Sequence, residues 1–144
     1  MEQLNILDFL CTKSDTFDKP IRLIELFAGY GSQAMALRNI GADFEIWKVI
    51  EIDRFAVNSY NAVHGTSFIP ADICQISGKD LGVNDTEKYT YIMTYSFPCQ
   101  DISVAGQMKG FQKGSGTRSS LLWEVSRLLH ERGTVWGSRR TVQF

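Results

Sequence analysis

The chain of 144 residues lacks most of the features that settle a function early. It has three cysteines, Cys11, Cys74 and Cys99, far apart and without a Cys-x-x-Cys spacing, which argues against both a disulfide framework and a zinc site. Its two histidines, His64 and His130, have no second candidate ligand close by in sequence and read as solvated helix ends, so no metal is expected. Charge nearly cancels: the formal net charge is −1. No global positive field announces a nucleic-acid partner, and such a role would need a local patch or a further part of the protein. No apolar run approaches the roughly 20 residues that span a bilayer. Residues 1–8 carry acids where a signal peptide would carry a basic segment, so the chain reads as cytosolic with no membrane partner. Repeats and low-complexity segments are absent.

What is present is enough for a core. Hydrophobic residues make up 44% of a chain the length of one ordinary domain. The periodicity alternates between strand and helix. Residues 1–19 form a lead-in, with a short helix expected around Leu4 to Leu10. Ile21–Phe27 reads as a strand, Ala28–Ser32 as a turn out of it, and Ala34, Met35, Leu37 and Ile40 as one face of a helix capped by Ser32 and ended by Gly41. Phe44–Ile50 is the next strand and Arg54–His64 the next helix, with Ala56, Tyr60 and Val63 on its stripe and Asp53 before it as a cap. A short strand is expected over Thr66–Ile69, a connection with at most one helical turn over Ser77–Lys88, and a buried strand over Tyr89–Tyr95. Ser119 or Ser120 then caps an amphipathic helix carrying Leu121, Leu122, Val125, Leu128 and Leu129. Alternating strands and helices predict an α/β fold with a parallel-type sheet and right-handed crossovers.

The candidate chemistry collects at predicted strand C-termini, the edge where open α/β sheets bind ligands. Gly29 and Gly31 would let a ligand approach the backbone, and the helix beyond favours polar or anionic groups. Glu51, about twenty residues on, stands where an acid can accept bonds from ribose hydroxyls. Asp72 follows Pro70 and is open to two readings, a turn cap or an acceptor for an exocyclic amine, with Ile73 beside it to pack on a ring. Pro98 cannot continue a central strand, so the strand ends there and Cys99 is presented at the start of a long Gly-, Ser- and Lys-containing loop over 103–119. A dehydrogenase-type dinucleotide domain shares the glycine turn and the acid. It offers no reason for Pro98-Cys99-Gln100, and Ala34 stands where its third glycine would be.

Taken in order, these residues resemble the cytosine-5 DNA methyltransferases over about 21–132. Phe27-Ala28-Gly29-Tyr30-Gly31-Ser32 is similar to the family's motif that cradles S-adenosylmethionine. Glu51 with Ile52 and Asp72 with Ile73 match its ribose and adenine contacts, with Phe97 beside them. Pro98-Cys99-Gln100 matches its catalytic motif, and Gln107, Lys109, Lys113 and Arg118 fall in the loop that closes on DNA. The resemblance implies a Rossmann-like S-adenosylmethionine-dependent methyltransferase fold with an incomplete sheet and flanking helices. It implies a duplex DNA substrate with a flipped cytosine, attacked at carbon-6 by Cys99 while carbon-5 receives the methyl group. It also implies a bacterial or phage source and a cytoplasmic location. A transfer-RNA cytosine methyltransferase of the same architecture, or a non-catalytic fragment, fits the same residues. The family's Glu-Asn-Val element, Arg-x-Arg element and target-recognition region have no counterpart in the chain. Residues 133–144 read as an atypical tail, truncated or frameshifted, and a chain with only the cofactor site and nucleophile is expected to be inactive alone.

Overall fold

The computed structural model describes residues 18–96 and 118–131. Within them, β1 (Ile21–Leu26), β2 (Phe44–Ile50) and β3 (Thr90–Tyr95) form a three-stranded sheet in the order β2-β1-β3, with both pairings parallel. The helices are α1 (Ser32–Asn39), α2 (Arg54–His64) and α3 (Leu122–Glu131). Three short 3-10 turns, Ile73–Gln75, Gly78–Leu81 and Arg118–Leu121, complete the regular structure. The α/β class and parallel sheet are as the alternating pattern predicts. Among the described residues no helix is long and apolar enough to cross a membrane.

β1 is central and almost wholly buried, as a run of apolar residues covered on both faces requires. On one face, Ile24, Leu26, Ile50 and Met93 pack with Ile73, Leu81 and Val83 and with Val125 and Leu128 of α3. On the other, Ala28, Val49 and Tyr60 pack with Ile46 and Phe68. The sheet contains one irregularity. Leu23 faces Ile46 but Ile24 faces Lys48, so Trp47 is the extra residue of a bulge. Its indole donates to the Leu81 carbonyl at 3.0 Å, and the Arg22 guanidinium lies between the Trp47 and Tyr89 rings, 3.7 and 3.6 Å from their centroids. Arg22 also pairs with Glu45 and donates to the Tyr91 hydroxyl. This stack pins all three strands near their N-terminal ends. Past the bulge, Leu26 lies level with both Ile50 and Tyr95. Phe27, Glu51 and Ser96 therefore leave the sheet side by side at one edge.

Two local expectations are corrected. No strand forms over Thr66–Ile69. The Asn61 side chain takes the hydrogen bonds that pairing would need, accepting from the Phe68 N–H and the Thr66 hydroxyl and donating to the Phe68 carbonyl. The cap of α1 is Gly31 rather than Ser32, because the backbone at Gly31 is left-handed (φ 84°) and Ser32 is already helical. Ser119 and Ser120 lie in the 3-10 turn that leads into α3. The expected helix near Leu4 to Leu10 and the tail 133–144 lie outside the described residues.

Candidate functional site

The first component is the turn from β1 into α1. Phe27 has φ 55°, unusual for a residue with a side chain, and Gly29 and Gly31 have φ 56° and 84°. Three left-handed residues in five fold the backbone tightly, and the Gly31 N–H closes the turn on the Ala28 carbonyl at 2.9 Å. Around Gly29 the space is open: a Cβ built there would meet no atom within 4 Å. At Gly31 it is closed by Tyr60 and His64 of α2. The two glycines thus serve different ends, one facing outward and one seated on the helix below.

Glu51 ties this turn to the tip of β2. One carboxylate oxygen accepts from the Gly29 N–H at 3.1 Å and the other from the Asp53 N–H at 3.0 Å. Its backbone carbonyl accepts from Ala71 at 2.8 Å, which draws the 70–73 segment alongside. There Asp72 accepts from the Cys74 N–H at 2.9 Å and caps the 3-10 turn Ile73–Gln75, so the capping role read from the sequence is present. Asp53 likewise caps α2 through the Phe55 N–H at 2.8 Å. Arg127 of α3 clamps the same segment from outside, donating to the Ile73 and Ile76 carbonyls at 3.0 and 2.9 Å while pairing with Glu124 and Glu131.

Ile73 departs from expectation. It is turned into the core, 4% exposed, and shows a ring almost no surface. Ile52, which follows Glu51, is by contrast 67% exposed, and Tyr30 in the glycine turn is 59% exposed. Ser32 is exposed at the start of α1, Ala28 is buried and Phe27 half-buried.

The tip of β3 joins the edge through α1: the Gln33 amide donates to the Ser96 hydroxyl at 3.3 Å. Ser96 is three residues before Cys99. Phe97, Pro98, Cys99, Gln100, Gln107, Lys109 and Lys113 lie outside the described residues, and Arg118 opens the 3-10 turn before α3.

Beneath the glycine turn is a cluster that the pattern of the sequence did not single out. Glu25 is completely buried in β1. Its carboxylate accepts from the Tyr60 hydroxyl, Oε1 has no hydrogen-bond partner, and the Ala34 N–H in the first turn of α1 favours its charged form. Burial pushes the Glu25 pKa above its ordinary value, and burial together with Glu25 pushes the Tyr60 phenol up. His64 stacks on Tyr60 with ring centroids 4.4 Å apart and reaches the Tyr30 carbonyl. The one hint in the sequence is an acid inside an otherwise apolar run, Leu23-Ile24-Glu25-Leu26-Phe27.

Comparison with known proteins adds the chemistry. A family model described as C-5 cytosine-specific DNA methylase matches residues 21–135. The type II methyltransferase M2.ScrFI of Lactococcus lactis subsp. cremoris is 28% identical over 165 residues, covering 78% of this chain and 44% of that protein. The orphan methyltransferase M.Rho11sI of Bacillus phage rho11s is 37% identical over 99 residues, covering 67% of this chain and 18% of that protein. Among solved structures, the S. pombe Dnmt2 methyltransferase is similar with a TM-score of 0.59 and 25% identity, over 79% of this chain and 33% of that one. The chain spans less than half the length of these relatives.

Proposed function

Because the chain belongs to the C-5 cytosine-specific DNA methylases, we propose that it carries the S-adenosylmethionine site and the nucleophile of an enzyme that methylates carbon-5 of cytosine in DNA. The observation that carries this reading is the Gly29–Glu51–Ala71 cluster at the sheet edge where Ser96 leads into Pro98-Cys99. The residues fit the cofactor. Open space at Gly29 admits a ligand against the backbone, and Glu51, held by two N–H groups, keeps lone pairs for a ribose diol. Ile52 supplies the exposed apolar surface for an adenine, with Asp72 at the segment beside it.

When bound, S-adenosylmethionine supplies a methyl group on a sulfonium centre. The remaining chemistry falls to the chain. The Cys99 thiolate adds to carbon-6 of cytosine and so makes carbon-5 nucleophilic; later loss of the carbon-5 proton lets the carbon–sulfur bond break and returns the thiol. The target atom is buried in a duplex, so the base must leave the stack, and the loop after Cys99 is placed in sequence to cover it. Lys109, Lys113 and Arg118 are the cations offered to phosphates.

The test is a thermal shift on the purified chain. S-adenosylhomocysteine should raise the melting temperature and NAD should not, while Glu51→Ala should weaken S-adenosylhomocysteine binding by about tenfold, the worth of a charge-assisted hydrogen bond. A shift with NAD alone would replace this reading with a dinucleotide-binding one.

A further inference from the structure

The 3-10 turn Ile73–Gln75 is three residues long, and so short a turn has too few bonds of its own to hold its place. Two anchors fix it. Before it, the Ala71 N–H donates to the Glu51 carbonyl at 2.8 Å, which joins it to the tip of β2. Beyond it, one guanidinium nitrogen of Arg127, Nη2, donates to both the Ile73 and the Ile76 carbonyls, at 3.0 and 2.9 Å. The rest of the guanidinium is set by α3 itself: Nε donates to Glu124 at 2.7 Å and Nη1 to Glu131 at 2.8 Å. The second oxygen of Glu131 accepts from the N–H of the buried Gly78 at 2.8 Å. Arg127 and Glu131 thus brace the segment 73–78 at three backbone groups. A planar fork of N–H donors can meet two carbonyls and two carboxylates at once, which a single ammonium cannot.

What this brace orients is Asp72. Its Oδ1 accepts from the Cys74 N–H at 2.9 Å and its carbonyl from the Gln75 N–H at 3.0 Å, so the direction of the carboxylate follows from the placement of the turn. The Cys74 thiol bonds the same carboxylate. A carboxylate has about four acceptor positions, so Asp72 keeps room for a donor on a ligand. We infer that Arg127 is a positioning residue for base discrimination in the cofactor site: by fixing the turn it aims Asp72 at the exocyclic amine of the adenine, and so sets the preference for adenine over a base with a carbonyl at that position. The inference rests on the cofactor reading proposed above; the brace itself does not. Arg127 acts through Asp72 and not on the ligand.

The test compares, on the whole chain, the Kd for S-adenosylhomocysteine with that for S-inosylhomocysteine, which carries a ring carbonyl in place of the amine. The parent chain should prefer the adenine compound by about tenfold or more, the worth of a hydrogen bond to a charged group. Arg127→Lys keeps a positive charge near Glu124 and Glu131 but cannot also bridge the two carbonyls, and its preference should fall to about twofold. Partial unfolding weakens both ligands by the same factor, so the ratio moves only with the groups that face the base. Asp72→Asn should remove the preference, because an amide can serve either base. Arg127→Lys in that background should change the ratio no further. Should Arg127→Lys not fold, Glu131→Ala removes an exposed partner of the brace and should lower the preference in the same direction. A ratio like the parent's in whichever of these variants folds would overturn the inference, as would a further loss in the double variant. If both compounds bind the parent chain equally, the cofactor reading stands and the inference falls. If neither binds, the cofactor reading falls and takes the inference with it.

Discussion

Gly31→Ala should lower the melting temperature by on the order of 10 °C and abolish measurable S-adenosylhomocysteine binding. Two costs add. The backbone at Gly31 has φ 84°, where a residue with a Cβ loses about 1–2 kcal/mol. The new methyl would then sit 2.6 Å from Tyr60 Cε2 and closer still to His64 Nε2. Neither ring is free to swing away. Tyr60 is fully buried and bonded to Glu25, and His64 is held by Tyr30 and Arg38. Overpacking of this kind costs about 1–3 kcal/mol, so the sum is a large part of the roughly 5–15 kcal/mol that holds a domain folded. Relief by lifting the turn would pull it from His64 and move Gly29 away from Glu51. The contrast is Gly29→Ala, where φ is 56° and no atom lies within 4 Å. That variant should carry only the backbone cost, with a small change in melting temperature, yet still lose ligand binding because the methyl occupies the open side. Equal melting temperatures for Gly31→Ala and the parent chain would show that α2 does not support the turn as described.

The features legible in the sequence were those written in local periodicity. The three strands and α2 match the predicted spans within a residue, because apolar runs and glycine punctuation act over a few positions. Glu51 and the glycine turn were also legible, since both follow directly from where a strand must end. The misjudged segments depended on a side chain reaching across the chain. Thr66–Ile69 has the composition of a strand, but Asn61 takes its hydrogen bonds from seven residues away. Ile73 follows Asp72 as a ring-packing residue would, but the 3-10 turn that Asp72 caps rotates it into the core against α3. His64 read as a solvated helix end, and its bonds to Tyr30 and Arg38 span 34 and 26 residues. Contacts of that span lie beyond any window of local periodicity.

The buried carboxylate under the turn should make stability depend on pH in a direction opposite to that of most acids. Burial raises the pKa of Glu25 in the folded chain above the ordinary value of 4.5, despite the opposing pull of Tyr60, Ala34 and His64. Between the ordinary and the folded values, the folded state keeps a proton that the unfolded state has released. Stability therefore falls as pH rises through that window and levels off above it. Glu25→Gln cannot ionise. Its amide keeps an acceptor for Tyr60, and its NH2 can take the place of Oε1, where no hydrogen bond is lost. The variant should lose this part of the decline and gain on the parent chain through that window, with no further gain above it. Tyr60→Phe should do the reverse. It removes the hydroxyl that supports the ionised carboxylate, which costs about 1.5–3 kcal/mol for a bond to a charged group and less where Glu25 is protonated. With that support gone the Glu25 pKa climbs further, so the decline extends to higher pH. Urea unfolding of the three chains at pH values from about 4 to 8 separates these outcomes, because the curves should diverge in opposite directions from that of the parent. Parallel curves would mean that Glu25 does not change its proton on folding. The carboxylate would then contribute to the turn only by packing beneath α1.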